Sequence, residues 1–137
     1  MAIQLLAACT TPEQRKRDEL ADRIEALVRL PKGAGRLADY ARAYAFDDKG
    51  LVVGVYVPGY VAPKPDETCE QVLGDLKTRE VPCPPETSGE RLRSGQRRWV
   101  DDINKLPMVM DGGCSVVTVT YDLKRGVIQD TYCNGVA

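Results

Sequence analysis

The clearest hydrophobic pattern in the chain is an unbroken run of β-branched and aromatic residues at Ser115–Tyr121. Such residues pack well on a pleated, half-buried surface, so the run predicts a β-strand. Turn residues follow at 122–126, where Gly126 can adopt the positive φ that a type I turn with a bulge requires. Strand composition resumes at Val127–Tyr132. The pattern therefore predicts a β-hairpin over this part of the chain.

A second hairpin is predicted around the turn residues Asp47–Gly50. The segment after the turn, Leu51–Val57, has clear strand composition. The segment before it, residues 37–46, alternates aromatic and small residues as a strand does, but its spacing also fits a helix. Because a hairpin turn follows directly, we favour the strand.

The register of this second hairpin decides which side chains share a face. With all four turn residues in the loop, Tyr44 lies opposite Val53 and Phe46 lies opposite Leu51. These residues form one bulky face. Small residues then form a shallow opposite face: Ala43, Ala45 and Gly54.

Helical periodicity appears in the N-terminal quarter of the chain. Thr11 is a good N-cap, Pro12 suits the first helical position and Gln14 can close a capping box. One apolar stripe follows at helical spacing: Leu20, Ile24, Leu27 and Val28. Pro31 and Gly33 end the pattern, so one helix is predicted between these limits.

The middle of the chain is less regular. Asp66 or Thr68 is a candidate cap for a short helix whose apolar face holds four residues: Cys69, Val72, Leu73 and Leu76. The proline-rich stretch that follows excludes regular structure and predicts a long loop over residues 82–94, tied down by Cys83.

A basic cluster next to the single tryptophan is the only concentrated charge of one sign. Its members are Arg91, Arg93, Arg97, Arg98 and Trp99. One interpretation is a surface that binds an anion or an acidic partner, with Trp99 at its edge. The other is a solvated helix start, in which Trp99, Ile103 and Leu106 face the core.

Composition limits the chemistry. The net charge of −1 lacks the positive footprint of most nucleic-acid-binding proteins, so no nucleic-acid partner is expected. The absence of histidine excludes imidazole zinc ligands and nucleophilic sites built on Ser-His-Asp or Cys-His. The sequence therefore predicts no catalytic residue, no metal ligand and no cofactor.

The apolar run that ends in Leu6-Ala7-Ala8-Cys9 resembles the lipobox of bacterial lipoproteins. In that class the cysteine is lipidated and becomes the mature N-terminus. The resemblance implies that residues 1–10 are a signal remnant, with a disordered N-terminus and a chance match as the alternative. The length of the chain, 137 residues, predicts a single domain, residues 11–137. In lipoproteins that are sorted to the outer membrane, the residue after the cysteine is not aspartate, and Thr10 resembles this pattern. Membrane contact is then expected only through the lipid on Cys9.

Setting Cys9 aside, four of the five cysteines remain, an even set that fits two disulfides in an oxidising compartment. Four cysteines permit three pairings. We favour Cys114 with Cys133, which pairing across the last hairpin brings close together, and Cys69 with Cys83. Each bridge closes a loop of about 15 to 20 residues and contributes about 3 kcal/mol in the chain-entropy model. The alternative is five free thiols in a cytoplasmic protein.

These elements together predict an α+β domain. It has an N-terminal helix, a mainly antiparallel sheet of about four strands in two hairpins, one or two short helices between them, and disulfide crosslinks. The aromatic-Asp-x-x-Gly-apolar pattern of the turn at 46–51 is also similar to hairpins of small envelope lipoproteins of the BamE or β-lactamase-inhibitor-protein-like type. That pattern implies no particular partner.

The sequence is compatible with three functions. The first is a non-enzymatic envelope lipoprotein of the periplasm and outer membrane that binds a protein or a surface polymer. The second is a periplasmic inhibitor or immunity-type protein that uses the loop at 82–94. The third is a small histidine-free enzyme that relies on carboxylates. The sequence does not define the oligomeric state.

Overall fold

A computed structural model describes residues 9–84 and 91–135 of the chain. Within these ranges the protein has one α-helix, α1 (Pro12–Leu27), and seven strands. The strands are β1 (Tyr40–Phe46), β2 (Leu51–Pro58), β3 (Thr68–Val72), β4 (Thr78–Pro82), β5 (Arg97–Trp99), β6 (Gly113–Asp122) and β7 (Val127–Asn134). Short 3-10 turns lie at Leu37–Asp39 and Ile103–Lys105. The predicted α+β class is confirmed.

Five strands form the main sheet, in the order β5-β1-β2-β6-β7. Both predicted hairpins are present, as the antiparallel pairs β1–β2 and β6–β7, and β2 pairs with β6 to join them. The short strand β5 adds a fifth member and runs parallel to β1. The ambiguous segment 37–46 is a strand from Tyr40 onward, as favoured.

Helix α1 begins with the predicted capping box. The Thr11 hydroxyl accepts a hydrogen bond from the Gln14 backbone N–H, and the Gln14 side chain accepts one from the Thr11 N–H. The predicted apolar stripe is only partly correct. Ala21, which it left out, is buried, whereas Leu27, which it included, is 44% exposed. The helix is therefore rotated so that Ala21, Ile24 and Val28 face the sheet.

The core lies between α1 and one face of the main sheet. Its largest side chains are four tyrosines: Tyr40, Tyr44, Tyr56 and Tyr121. Small and β-branched residues fill the space around them, among them Val52, Val117 and Val119. A core rich in phenols needs hydrogen-bond partners inside it, and these define the polar site described below.

The predicted register of the β1–β2 hairpin is wrong by one residue. Tyr44 pairs with Gly54 and Phe46 pairs with Val52. The reason is the turn, where the Asp47 N–H donates to the Leu51 carbonyl at 3.0 Å, so the loop holds three residues and not four. Gly54 consequently lies on the tyrosine face, where an added Cβ would sit 2.9 Å from the Tyr44 ring.

The predicted short helix at 66–76 is also wrong. This segment belongs to a separate two-stranded hairpin, β3–β4, which is not part of the main sheet. Thr68, Val72, Thr78 and Val81 are β-branched and favour strands, and the Gly74-Asp75 pair supplies turn chemistry. The only helical turn between the two main hairpins in the described ranges is the 3-10 turn at Ile103–Lys105.

The second face of the main sheet is covered by the connection from β5 to β6. Residues of this connection, including Leu106 and Pro107, line cavities together with Ala43 and Val55 of the sheet. Ala41, Ala43 and Ala45 are all buried beneath it. The shallow face of β1 is thus real, although Gly54 is not part of it.

Both expected disulfides are present. Cys114 is bonded to Cys133 with a Cα–Cα distance of 4.5 Å, and Cys69 to Cys83 with 4.9 Å. The first bridge joins β6 to β7 where the ladder shifts register between Gly113 and Val117. Disulfides persist in oxidising compartments, so the two bridges indicate a non-cytoplasmic environment.

Removing the two bridges should have different effects. Replacing Cys114 and Cys133 by serine frees a loop that is anchored in the core, so we expect the unfolding free energy to fall by about 3 kcal/mol. Replacing Cys69 and Cys83 releases a hairpin outside the main sheet, which gains the same freedom in the folded and unfolded protein. Denaturant unfolding should then change little, while amide hydrogen exchange at 68–82 accelerates. Equal losses of unfolding free energy in both variants would contradict this division.

Candidate functional site

The predicted basic cluster is divided by strand β5. Arg97–Trp99 is a strand and not the start of a helix, because its backbone continues the ladder of β1. The Arg42 N–H donates to the Gln96 carbonyl at 3.0 Å, and the Val100 N–H donates to the Tyr44 carbonyl at 2.9 Å. Successive side chains of a strand alternate between faces, so Arg97 and Trp99 lie on the helix side and Arg98 on the other.

Arg97 is an internal ion-pair partner and not part of a free anion-binding surface. Its guanidinium lies 2.6 Å from the Asp22 carboxylate and 3.1 Å from the Glu25 carboxylate, both on α1. It also donates to the Asp18 carbonyl at 3.3 Å. Arg97 therefore fastens the edge strand β5 to the helix.

Glu25 is the polar centre of the contact between helix and sheet, and the sequence reasoning missed it. Its carboxylate accepts hydrogen bonds at 2.8 Å from both Arg42 and the Tyr44 hydroxyl on β1, besides pairing with Arg97 on β5. Its side chain is 13% exposed. We call Glu25, Arg42 and Arg97 the ionic joint.

A signal for the ionic joint was present in the sequence. Arg42 falls between Tyr40 and Tyr44 on an alternating strand face that is otherwise bulky and apolar. A buried guanidinium requires a carboxylate, and Glu25 lies four residues after Ala21 on the edge of the helical apolar stripe. Neither feature identifies its partner without the fold.

Two tyrosines extend the ionic joint into the core. The hydroxyls of Tyr44 and Tyr56 lie 3.0 Å apart, and that of Tyr44 also donates to Glu25. Burial raises the pKa of the Tyr44 phenol far above its usual value, and the neighbouring Tyr56 and Glu25 raise it further. Burial likewise raises the pKa of Tyr56, to about 12. Both phenols are therefore neutral at physiological pH.

The chemistry available at this centre is structural. Both oxygens of Glu25 accept hydrogen bonds from guanidinium or hydroxyl donors, which hold the carboxylate between the helix and the sheet. Among the described residues, no group of three or more acidic or cysteine side chains is placed to hold a metal ion.

Trp99 belongs to the core edge and not to a surface patch. Its ring stacks on Phe46 with centroids 5.0 Å apart and lies 5.3 Å from the Tyr44 ring. The Arg17 guanidinium lies over the other ring of the stack, 5.9 Å from the Phe46 centroid. The indole N–H is buried and has no hydrogen-bond partner among the described residues.

The remaining members of the predicted cluster lie in two places. Arg93 lies in the turn before β5, where its backbone N–H donates to the Gln96 side chain at 2.9 Å. Arg91 and Arg98 reach a cavity on the second face of the sheet. The five clustered positions therefore do not form one anion-binding patch.

The β3–β4 hairpin, which we call the finger (residues 68–82), is the most exposed element of the described fold. Only Cys69 and Val81 of its two strands are partly buried, and the Cys69–Cys83 bridge closes its base. An isolated two-stranded hairpin is marginal in water, so this crosslink holds the finger in shape.

The tip of the finger breaks a rule that the other two hairpins obey. In all three, the last loop residue has a left-handed backbone: Gly50 (φ 78°), Gly126 (φ 66°) and Leu76 (φ 63°). Glycine adopts this conformation without strain, whereas a leucine pays a steric cost for its Cβ. Leu76 nevertheless occupies the position and is 86% exposed.

Two other predicted sites fall partly outside the described residues. Leu6-Ala7-Ala8 of the lipobox-like sequence lies outside them, whereas Cys9 is described and is exposed and free. Of the loop at 82–94, residues 85–90 lie outside the described ranges. Its described end is held by the Ser94 hydroxyl, which donates to the Asp39 carbonyl at 3.0 Å.

Comparisons of the chain with protein-family models, with curated proteins and with solved structures found no match. Within residues 9–84 and 91–135, no helix has the length and apolar character needed to span a membrane.

Neutralising Glu25 should destabilise the fold strongly. Glu25→Gln keeps the shape of the side chain but leaves two guanidinium groups without their shared carboxylate, and breaking a buried pair costs about 3 to 5 kcal/mol. The matched control is Asp22→Asn, which removes an ion pair to the same Arg97 from a carboxylate that is 68% exposed. Such a pair contributes at most about 1 kcal/mol. Denaturant unfolding measures both; equal and small losses would argue against the ionic joint.

Stability should also fall at alkaline pH. The unfolded chain ionises its phenols near pH 10, whereas folded Tyr44 and Tyr56 keep their protons to higher pH. The folded protein then holds more protons, so the unfolding free energy falls from pH 10 to about 12, by about 1.4 kcal/mol per pH unit for each phenol. Denaturant unfolding of the protein with Cys9 alkylated, repeated across this pH range, should show this slope. The slope should be smaller in Tyr56→Phe and the same as wild type in the control Tyr132→Phe. A flat profile would contradict the assignment.

Proposed function

We propose that the protein is a non-enzymatic binding module of the cell envelope that docks on a protein partner through the finger. The observation that carries the proposal is Leu76, a large apolar side chain held in a strained backbone conformation and exposed at the tip. Strained residues persist where the surrounding structure maintains them, and they concentrate at binding and catalytic sites.

The construction of the finger supports a role outside the protein's own stability. It is absent from the hydrophobic core cluster, and most of its residues are exposed on both faces. A disulfide nevertheless rigidifies it, which lowers the entropy lost when a partner binds. The element is therefore constructed as a preorganised projection.

The chemistry of the tip favours a protein over a surface polymer. Leu76 and Val72 are 86% and 65% exposed, and together they form an apolar end on a ribbon whose sides carry Glu70, Arg79 and Glu80. An apolar anchor with a polar surround matches a hydrophobic pocket in a folded protein. If that pocket is an enzyme cleft, the protein acts as an inhibitor, and the inhibitory segment is the finger and not the loop at 82–94.

A second proposal concerns anchoring at the outer membrane. Cys9 is exposed, belongs to neither disulfide and lies two residues before the cap of α1. No contact of the described fold requires a cysteine there, whereas the lipobox-like sequence does. This supports lipidation of Cys9, which would hold the domain at the periplasmic face of a membrane.

Leu76→Gly separates binding from folding. Glycine restores the residue type found at the other two turns, so the finger should gain about 1 kcal/mol against local opening, measured by hydrogen exchange of its amides. A photo-crosslinking amino acid at Val72, in cells of the natural host, should give a discrete protein adduct that Leu76→Gly removes. Leu123→Gly, at an exposed leucine of the β6–β7 turn, should leave the adduct intact. An adduct insensitive to Leu76 would refute the docking role.

Mass spectrometry of protein expressed from its natural locus tests the anchor. The expected product begins at Cys9 and carries the mass of a diacylglyceryl group, and Cys9→Ser abolishes this modification. A chain that retains residues 1–8 with an unmodified thiol would exclude lipidation. Neither result bears on the finger, so the two proposals fail or succeed separately.

A further inference from the structure

A cavity of about 540 Å³ lies on the second face of the sheet, away from α1 and the ionic joint. Its floor is formed by Ala41, Ala43 and Val57, and three cationic side chains reach its rim, those of Arg91, Arg98 and Lys105. We call these six residues and the space they enclose the basic groove. Its volume falls within the range of about 300 to 1,000 Å³ that is usual for small-molecule sites.

The groove exists because β1 has unequal faces. Toward the helix it carries Tyr40 and Tyr44, whereas toward the groove it carries only alanines. The connection from β5 to β6 passes over this face without filling the space. Val100 and Pro107 line the cavity, and Ala41 and Ala43 lie at its bottom, where they are only 2% and 3% exposed. A concave, mainly apolar surface therefore remains on this side of the sheet.

Among the described residues, the lining of the groove carries charge of one sign. Its described members include three cations and no carboxylate. Lys105 is paired with Asp101 at 2.7 Å, and Arg98 has a partner of its own. The Arg91 guanidinium lies over the Tyr60 ring, 5.1 Å from its centroid, and no carboxylate of the described residues pairs with it. Arg91 is thus held in place by an aromatic ring with its charge uncompensated by those residues.

We propose that the basic groove binds an anionic amphiphile, a molecule with one carboxylate or phosphate head and a single apolar chain. The head group pairs with Arg91, whose planar guanidinium suits bidentate contact with either anion. The chain lies along the half-buried apolar lining, Val57, Leu92 and Pro107, above Ala41 and Ala43, and burial of this apolar surface contributes affinity. This site is separate from the finger and does not depend on its partner.

Calorimetric titration of the full disulfide-bonded protein tests the proposal with three probes of equal chain length: decanoate, decyl phosphate and decanol. Decanoate represents a fatty acid and decyl phosphate a lipid phosphate. At least one anion should bind at a 1:1 ratio, about tenfold or more tightly than decanol, because a charge-assisted contact is worth that factor or more. The stronger of the two identifies the source of the head group.

Variants then locate the site. Arg91→Gln should weaken anion binding about tenfold and leave decanol unchanged, whereas Arg125→Gln, an exposed arginine in the β6–β7 turn, should change neither. Ala43→Leu should fill the floor and abolish binding of every probe. Since Arg91 is exposed, its variant tests the proposal even if Ala43→Leu does not fold. Equal affinity for anions and decanol, or anion binding that is indifferent to Arg91, would overturn the proposal, as would no binding of any probe.

Discussion

The rest of the domain depends on the hydrogen bonds and ion pairs that the Glu25 carboxylate makes with the sheet. The carboxylate receives donors from β1 and β5, so one side chain of α1 holds two strands at once. The joint also places β5, since Arg97 is its contact to the helix and the alternate residue Arg98 is thereby directed to the opposite face. In a medium of low polarity such an arrangement is stabilising only when its charges are matched, and Asp22 supplies the second carboxylate for the two guanidinium groups.

Local chemistry made part of this fold predictable. The capping box of α1, the β-branched run of β6 and the turn at 122–126 each depend on near neighbours, and each is present as expected. Pairing across the last hairpin then places Cys114 against Cys133, which leaves one partner for Cys69. The predicted register of β1–β2 was wrong because the Asp47 side chain accepts hydrogen bonds from the Lys49 and Leu51 N–H groups, which shortens the loop.

Long-range contacts account for the rest. The three residues of β5 form a strand only because the edge of β1 offers backbone partners. In the sequence nothing distinguishes Arg97 from the other arginines of the cluster, because its ion pair with Glu25 forms only in the folded protein. The prediction of a helix in the finger was wrong for a related reason. Its apolar residues fit helical spacing, and with no core contact to select a face, β-propensity and the Gly74-Asp75 turn decide the structure.

The domain thus separates stability from recognition. Its core is formed by tyrosines and the ionic joint, whereas its two candidate binding features, the strained tip of the finger and the alanine floor of the groove, lie outside that core. Natural sequences break local rules chiefly at functional sites, and a leucine at a glycine position of a turn is such a break.

A double-mutant cycle between Glu25 and Arg42 tests the central claim most directly. The unfolding free energies of wild type, Glu25→Gln, Arg42→Met and the double variant define the coupling between the two side chains. The account predicts a coupling of about 2 to 3 kcal/mol, because the second substitution removes the charge that the first leaves without its partner. Additive effects, within about 0.5 kcal/mol, would show that the two groups do not hold the helix on the sheet through each other.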